Sequence, residues 1–187
     1  MEARKLSLLD HCLINHVVNE LDIDSSASGP GTVSAHTDLE SIYLIETSGD
    51  LVLNEVGAGT ANAAAFADAV AFRTAVNGSI LNRRTDGLAN VVSKKTYLFA
   101  SKSIGTSSKR VTTSVANLES WSYTNDTWIQ NLGALEVGGV RTETSGVNAG
   151  GGAYIMASSP ILISESSIAE HATLEFWAED DLEGTHI

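Results

Sequence analysis

The sequence predicts a β-rich α+β domain, an antiparallel sandwich or barrel with an N-terminal helix and one Ala-rich helix packed on it. Three features lead there. Beyond residue 88 the apolar residues recur at the period of strands, in short runs separated by Ser, Gly, Asn and Thr. Two stretches before that point keep a helical period or composition instead. The composition, 43% hydrophobic but only 6% aromatic with two prolines, leaves small residues to fill closely spaced strands and turns.

In chain order, Leu6, Leu9, Leu13, Val17 and Leu21 fall at steps of three and four, with Leu8, Ile14 and Val18 widening the stripe, so residues 4–21 predict an amphipathic helix. The Ser-, Gly- and Pro-containing run 22–31 ends it and makes residues 1–24 a helical arm on a body of residues 32–187, within a single domain spanning 1–187. Residues 39–46 and 51–56 are β-prone runs either side of Thr47, Ser48, Gly49 and Asp50, which predicts a hairpin. Gly57 to Thr60 reads as a turn into a second helix at about 61–76, closed by Asn77 and Gly78. Phe66, Ala69, Val70, Phe72 and Val76 share one arc of that helix, and Arg73 falls on the same arc. Its stem would lie on the core edge with the guanidinium in water, or the guanidinium would pair with a neighbouring carboxylate. Strands are then expected at 88–92, 96–100, 111–118, 120–123, 128–131, 135–141, 153–157, 161–164 and 172–178, with mobile loops at 103–109 and 142–152.

Charge is unevenly spread. Arg73, Arg83, Arg84, Lys94, Lys95, Lys102, Lys109 and Arg110 stand with one acid, Asp86, in a segment of charge +7, against −12 for the whole chain, so the remainder carries −19. From Glu165 onward there are seven acids and no Lys or Arg. Such a split either pairs within the monomer or directs docking of one subunit on the next. The interface residues expected on the second reading are Arg73, Arg83, Arg84, Lys94, Lys95, Lys109 and Arg110 on one side and Glu175, Glu179, Asp180 and Asp181 on the other.

Motifs for chemistry are few. His11, Cys12 and His16 offer at most two ligands on one helix face, and His36, His171 and His186 are scattered, so no metal site is expected. Gly57-Ala58-Gly59 lacks the third glycine of a dinucleotide fingerprint, Asn62 standing there, and no Walker lysine follows. No Gly-x-Ser-x-Gly elbow is present, and no catalytic residue, cofactor or enzyme activity is predicted. Lys95, Tyr97 and Phe99 would share a strand face as in a base-stacking platform, but a chain of −12 is a poor phosphate binder. Trp121, Tyr123 and Trp128 form either core or a stacking patch. The single cysteine excludes an intrachain disulfide, Asn125-Asp126-Thr127 reads as a turn, and no signal peptide or membrane span is expected.

The small-residue-rich β sequence, the absence of catalytic motifs, the lone cysteine and the split charge resemble the virion structural proteins of tailed phages, in the tail-tube, tail-terminator and neck class. The likeness is one of style over the whole chain and assigns no residue. It implies a non-enzymatic subunit, made in a host cytoplasm, that assembles with its own copies and other virion proteins into a ring or tube, with nucleic acid at most passing nearby and no membrane. A carbohydrate- or surface-binding β-sandwich is the alternative.

Overall fold

The computed structural model describes residues 21–25, 31–38, 41–59, 70–141 and 145–179, with the backbone alone for 70–75. Within them the chain alternates between two sheets. The first coil is β1 (Leu21–Ile23) in sheet I and β2 (Val33–Thr37) in sheet II, and the second is β3 (Ile42–Glu46) and β4 (Leu51–Ala58). The third sets β5 (Val70–Ala75) in sheet I and both β6 (Ile80–Asn82) and β7 (Val91–Val92) in sheet II. The fourth is β8 (Lys95–Ala100) and β9 (Val111–Ser114), the fifth β10 (Asn117–Ser122) and β11 (Thr127–Asn131). In the sixth, β12 (Leu135–Val137) and β13 (Val147–Ala149) share one course of sheet I before β14 (Ala153–Ala157); the seventh repeats this with β15 (Ile161–Ile163), β16 (Ile168–Ala169) and β17 (Leu174–Ala178).

Each strand pairs with its counterparts in the coils before and after it, and every strand ladder among the described residues is parallel, which makes the fold a β-solenoid. Alternation explains why these segments are strands. In β8, β11 and β14 buried and half-buried residues take turns, so one face of each sheet packs inward and the other faces out. Stacking then sets like on like along the axis: Val111, Ile129, Ile155 and Phe176 occupy one inward column of sheet II, and Leu118, Val137 and Ile163 one of sheet I. Leu51, Leu53, Ile80, Leu98, Leu118 and Ile129 are wholly buried between the sheets.

Two buried asparagines tie the corners together. Asn131, fully buried, donates through Nδ2 to the carbonyls of Val115, Gly133 and Ala134, and its Oδ1 accepts from Thr113 Oγ1 and the Val115 amide at 2.9 and 3.0 Å. Asn90 acts likewise two coils earlier, donating to the carbonyls of Leu53 and Asn54 and accepting from the Thr112 amide. At Gly105 φ is +68°, and a Cβ would stand 2.4 Å from the Trp128 carbonyl oxygen, so only glycine fits this close pass between coils.

These findings correct the fold expected from sequence. The architecture is a parallel solenoid, not an α+β antiparallel sandwich or barrel, because each turn carries the chain to the opposite sheet and no strand returns beside its predecessor. The 39–46 and 51–56 runs are strands, but β3 pairs with β1 and β5 and β4 with β2, β6 and β7, so the turn at 47–50 is a coil corner and no hairpin forms. No helix occurs among the described residues. Of the Ala-rich helix expected at 61–76, residues 70–75 are strand β5, hydrogen-bonded along its length to β8 and over most of it to β3; pairing on both edges outweighs helix propensity. Of the N-terminal helix expected at 4–21 and the arm at 1–24, Leu21–Ile23 form strand β1, paired with β3, and not helix, while residues 1–20, like 60–69, lie outside the described residues. The run 111–118 divides at residues 115–116, where the chain turns from β9 into β10. No helix among the described residues is long and apolar enough to cross a membrane.

Candidate functional site

Outward residues stack along the axis as the inward ones do. In sheet II the register sets Arg110 next to Trp128, Trp128 opposite Tyr154, and Tyr154 opposite Glu175. The Trp128 and Tyr154 rings lie nearly parallel, 10° apart with centroids at 3.8 Å, and the Arg110 guanidinium covers the other side of Trp128 at 5.4 Å. The next outward column carries Met156 and Trp177. Between the two columns runs an open, mainly apolar cleft of about 380 Å³, lined by Arg110, Trp128, Tyr154, Met156, Glu175 and Trp177. Trp177 is 57% exposed, whereas both faces of Trp128 are occupied, so Trp177 offers the larger free surface. Arg110 Nε is buried without a hydrogen-bond partner, and Glu175 brings an exposed carboxylate to the far end.

The aromatic patch expected from Trp121, Tyr123 and Trp128 is divided. Trp121 and Tyr123 belong with Phe99 to the sheet I side, with centroids at 5.9 Å for Phe99 and Trp121 and 6.4 Å for Trp121 and Tyr123. Trp128 alone stands on sheet II, with Tyr154 and Trp177 as companions that sequence reasoning missed. No local signal could have joined them, because their alignment depends on the length of whole coils. Lys95, Tyr97 and Phe99 do share the outward face of β8, but Tyr97 is covered by the Arg141 guanidinium at 3.8 Å, which takes that ring out of use as a stacking platform.

Of the expected interface residues of opposite sign, the structure brings together Arg110 and Glu175, at the two ends of the cleft. Arg73 is a strand residue in register with Leu44 and Leu98, not a helix residue. Arg83 and Arg84 lie in the loop between β6 and β7. Lys94 is exposed at the β7–β8 corner, where its carbonyl accepts from the amides of Ala116 and Asn117; Lys95 opens β8, and Lys109 closes a tight turn with Thr106. Glu179 follows β17, while Asp180 and Asp181 lie outside the described residues. Among the described residues, Arg83, Lys94, Lys102 and Lys109 form no ion pair, and none of the ion pairs joins the basic segment to the acids after residue 165.

Arg84 is the cation of this loop that is held in place. It donates from Nε and Nη2 to the two oxygens of Asp86 at 2.9 and 2.7 Å, and from Nη1 to Glu55 at 3.1 Å. Those bonds, with the Leu88 amide on Oδ1, hold the Asp86 carboxyl down to about 2 from an ordinary 3.8. A carboxyl lowered on folding favours the folded loop above its ordinary range and loses that contribution as pH falls through about 2. An NMR titration of the Asp86 carboxyl should show a midpoint near 2, returning towards 3.8 in Arg84→Ala.

Two carboxylates lie fully buried. Glu46 accepts the Ser25 amide on both oxygens, at 2.9 and 3.1 Å. Glu119 accepts the amides of Val140 and Arg141 at 2.8 and 2.7 Å and the Arg141 Nε at 2.7 Å, tying the loop after β12 to the outer face of β10. Neither faces the cleft. No group of three or more His, Cys, Asp or Glu side chains among the described residues is placed to hold a metal; His36 pairs with Asp38 at 2.8 Å, and His11, Cys12 and His16 lie outside the described residues. Gly59, of the glycine run read against the dinucleotide motif, has a φ of +66° and ends β4. No family model, curated protein or solved structure matches the chain.

Proposed function

We propose that the chain is a non-enzymatic binding module whose ligand is a carbohydrate, held in the sheet II cleft. The observation that carries this reading is one open cleft lined by Trp128, Tyr154 and Trp177, with a guanidinium at one end and a carboxylate at the other. Sugars present apolar C–H faces that pack on aromatic rings, and hydroxyls that accept from guanidinium and donate to carboxylate, so a cleft of this composition suits them. A solenoid adds rigidity: ring positions are fixed by strand register, which lowers the ordering cost of binding. Glycan-array screening followed by calorimetry should find a ligand whose affinity falls about tenfold or more in Trp177→Ala, a loss of about 1.4 kcal/mol. Array silence, or binding indifferent to Trp177, sinks the reading.

A second reading, the self-assembling subunit of a phage tail or neck, is favoured by the basic residues that form no ion pair among the described residues, Arg83, Lys94, Lys102 and Lys109. In a solenoid, chain order is axial order, so these cations form a belt between two acidic ends. Copies packed side by side and staggered would set belt against end. Light scattering should then show a mass that grows at low salt and collapses at high salt; a monomer under both conditions removes it.

A further inference from the structure

Among the described residues, the seventh coil ends in an edge that carries no further strand. β17 pairs with β14, β15 with β12 and β16 with β13, and among the described residues no strand lies on their other side. Their inward positions continue the core columns, yet Ile163 is 48% and Leu174 38% exposed where earlier members of the same columns, Val137 and Ala153, are buried. Around this apolar end stand Glu170, Glu175 and Glu179, of which Glu170 alone has an ion-pair neighbour, His171 at 3.9 Å.

Charge discriminates among occupants. The chain's own continuation beyond residue 179 carries Asp180, Asp181 and Glu183 and would add like charge. A second copy stacked end to end would bring either the same glutamates or the Asp22, Asp24 and Asp38 of the first coil, again like on like. The cations of the basic belt sit at corners and loops of inner coils, where no strand edge is free to dock.

We propose that this edge takes a cationic, extended segment of a different polypeptide, added as a further parallel or antiparallel strand beside Leu174–Ala178. The alternation of β17 specifies its pattern. Leu174, Phe176 and Ala178 occupy inward positions and Glu175, Trp177 and Glu179 outward ones, so the incoming strand needs apolar residues at every second position and Lys or Arg between them. Main-chain hydrogen bonds to β17 supply affinity, and the Lys or Arg beside Glu175 and Glu179 sets the register.

The test uses the full chain and a synthetic peptide of about six residues, an ordinary strand length, alternating valine and lysine. The expected result is salt-sensitive binding that protects the β17 amides from hydrogen exchange, is lost in Leu174→Lys and weakens severalfold in Glu179→Gln. A peptide of the same composition with the valines and lysines in separate blocks should not bind. Neither Leu174 nor Glu179 lines the cleft, so the result is separable from the carbohydrate reading. Leu174 is inward but 38% exposed at the open edge and Glu179 is exposed, and unchanged thermal unfolding confirms that the variants fold. The proposal is overturned if the alternating and block peptides behave alike, if neither binds, or if light scattering shows copies associating through an edge that Leu174→Lys abolishes.

Discussion

Replacing Asn131 with alanine should destabilise the solenoid by about 3 kcal/mol or more, one of the two largest effects expected of a single substitution here. The side chain has no solvent exposure and uses its whole hydrogen-bonding capacity at the corner between β11 and β12. Alanine leaves the Val115 carbonyl and amide and the Thr113 hydroxyl without their partner where water has little access, while the carbonyls of half-buried Gly133 and exposed Ala134 can turn to water. Each buried polar group left unsatisfied costs about 1–3 kcal/mol, and local relaxation recovers part of the sum. Because coils contact chiefly their neighbours, the loss should appear first as faster hydrogen exchange in β9 and β11 and then as a lower denaturant midpoint. An unchanged midpoint, with unchanged exchange in those strands, contradicts the corner's assigned role.

That corner also shows what sequence could and could not carry. The alternation of Trp128 to Asn131 and of Ala153 to Ala157 announces half-buried strands, and both segments are strands. Strand direction is a different matter. Whether a strand runs parallel or antiparallel to its neighbour depends on where the chain has travelled between them, and Gly49 with φ of +78° serves a solenoid corner as well as a hairpin. A solenoid normally betrays itself by a repeat. Here Val111 pairs with Ile129, Ile129 with Ile155 and Ile155 with Phe176, steps of eighteen, twenty-six and twenty-one residues, because the number of residues between successive strands of sheet II differs from coil to coil. Drift of that size erases periodicity at the level of residues while leaving the columns intact in space.

The same drift hid the cleft. Trp128, Tyr154, Glu175 and Trp177 are brought together by two successive ladder registers, and nothing near any one of them in sequence signals the others. The basic segment, in contrast, was legible as charge, and solenoid geometry turns its place in the chain into a place along the axis. Misreading 70–76 as helix has a local cause: alanines at 69, 71 and 75 favour helix intrinsically, but β5 has a strand on each side to satisfy its backbone. Nothing in the sequence marks Glu46 and Glu119 as buried, because a carboxylate is ordinarily a surface group and burial becomes tolerable only through partners distant in the chain, backbone amides for both and the Arg141 guanidinium for Glu119.

Glu119 supports the second large prediction, that Arg141→Ala costs about 3 kcal/mol or more. The carboxylate is fully buried and Arg141 is 23% exposed at its side chain, so the pair is mostly shielded from solvent and keeps much of its strength. Removing the guanidinium leaves Glu119 its two amide donors but no counter-charge, and also strips the cation from the Tyr97 ring. The double variant Arg141→Ala with Glu119→Ala should be less damaging than the sum of the two single variants, since the second substitution removes the charge that the first leaves stranded. Arg141→Lys should fall between wild type and alanine, because an ammonium restores charge but not the flat stack on Tyr97. Denaturant unfolding of the four proteins measures the coupling directly. Additivity within a few tenths of a kcal/mol shows that the loop after β12 is held by its backbone alone and that the ion pair contributes nothing.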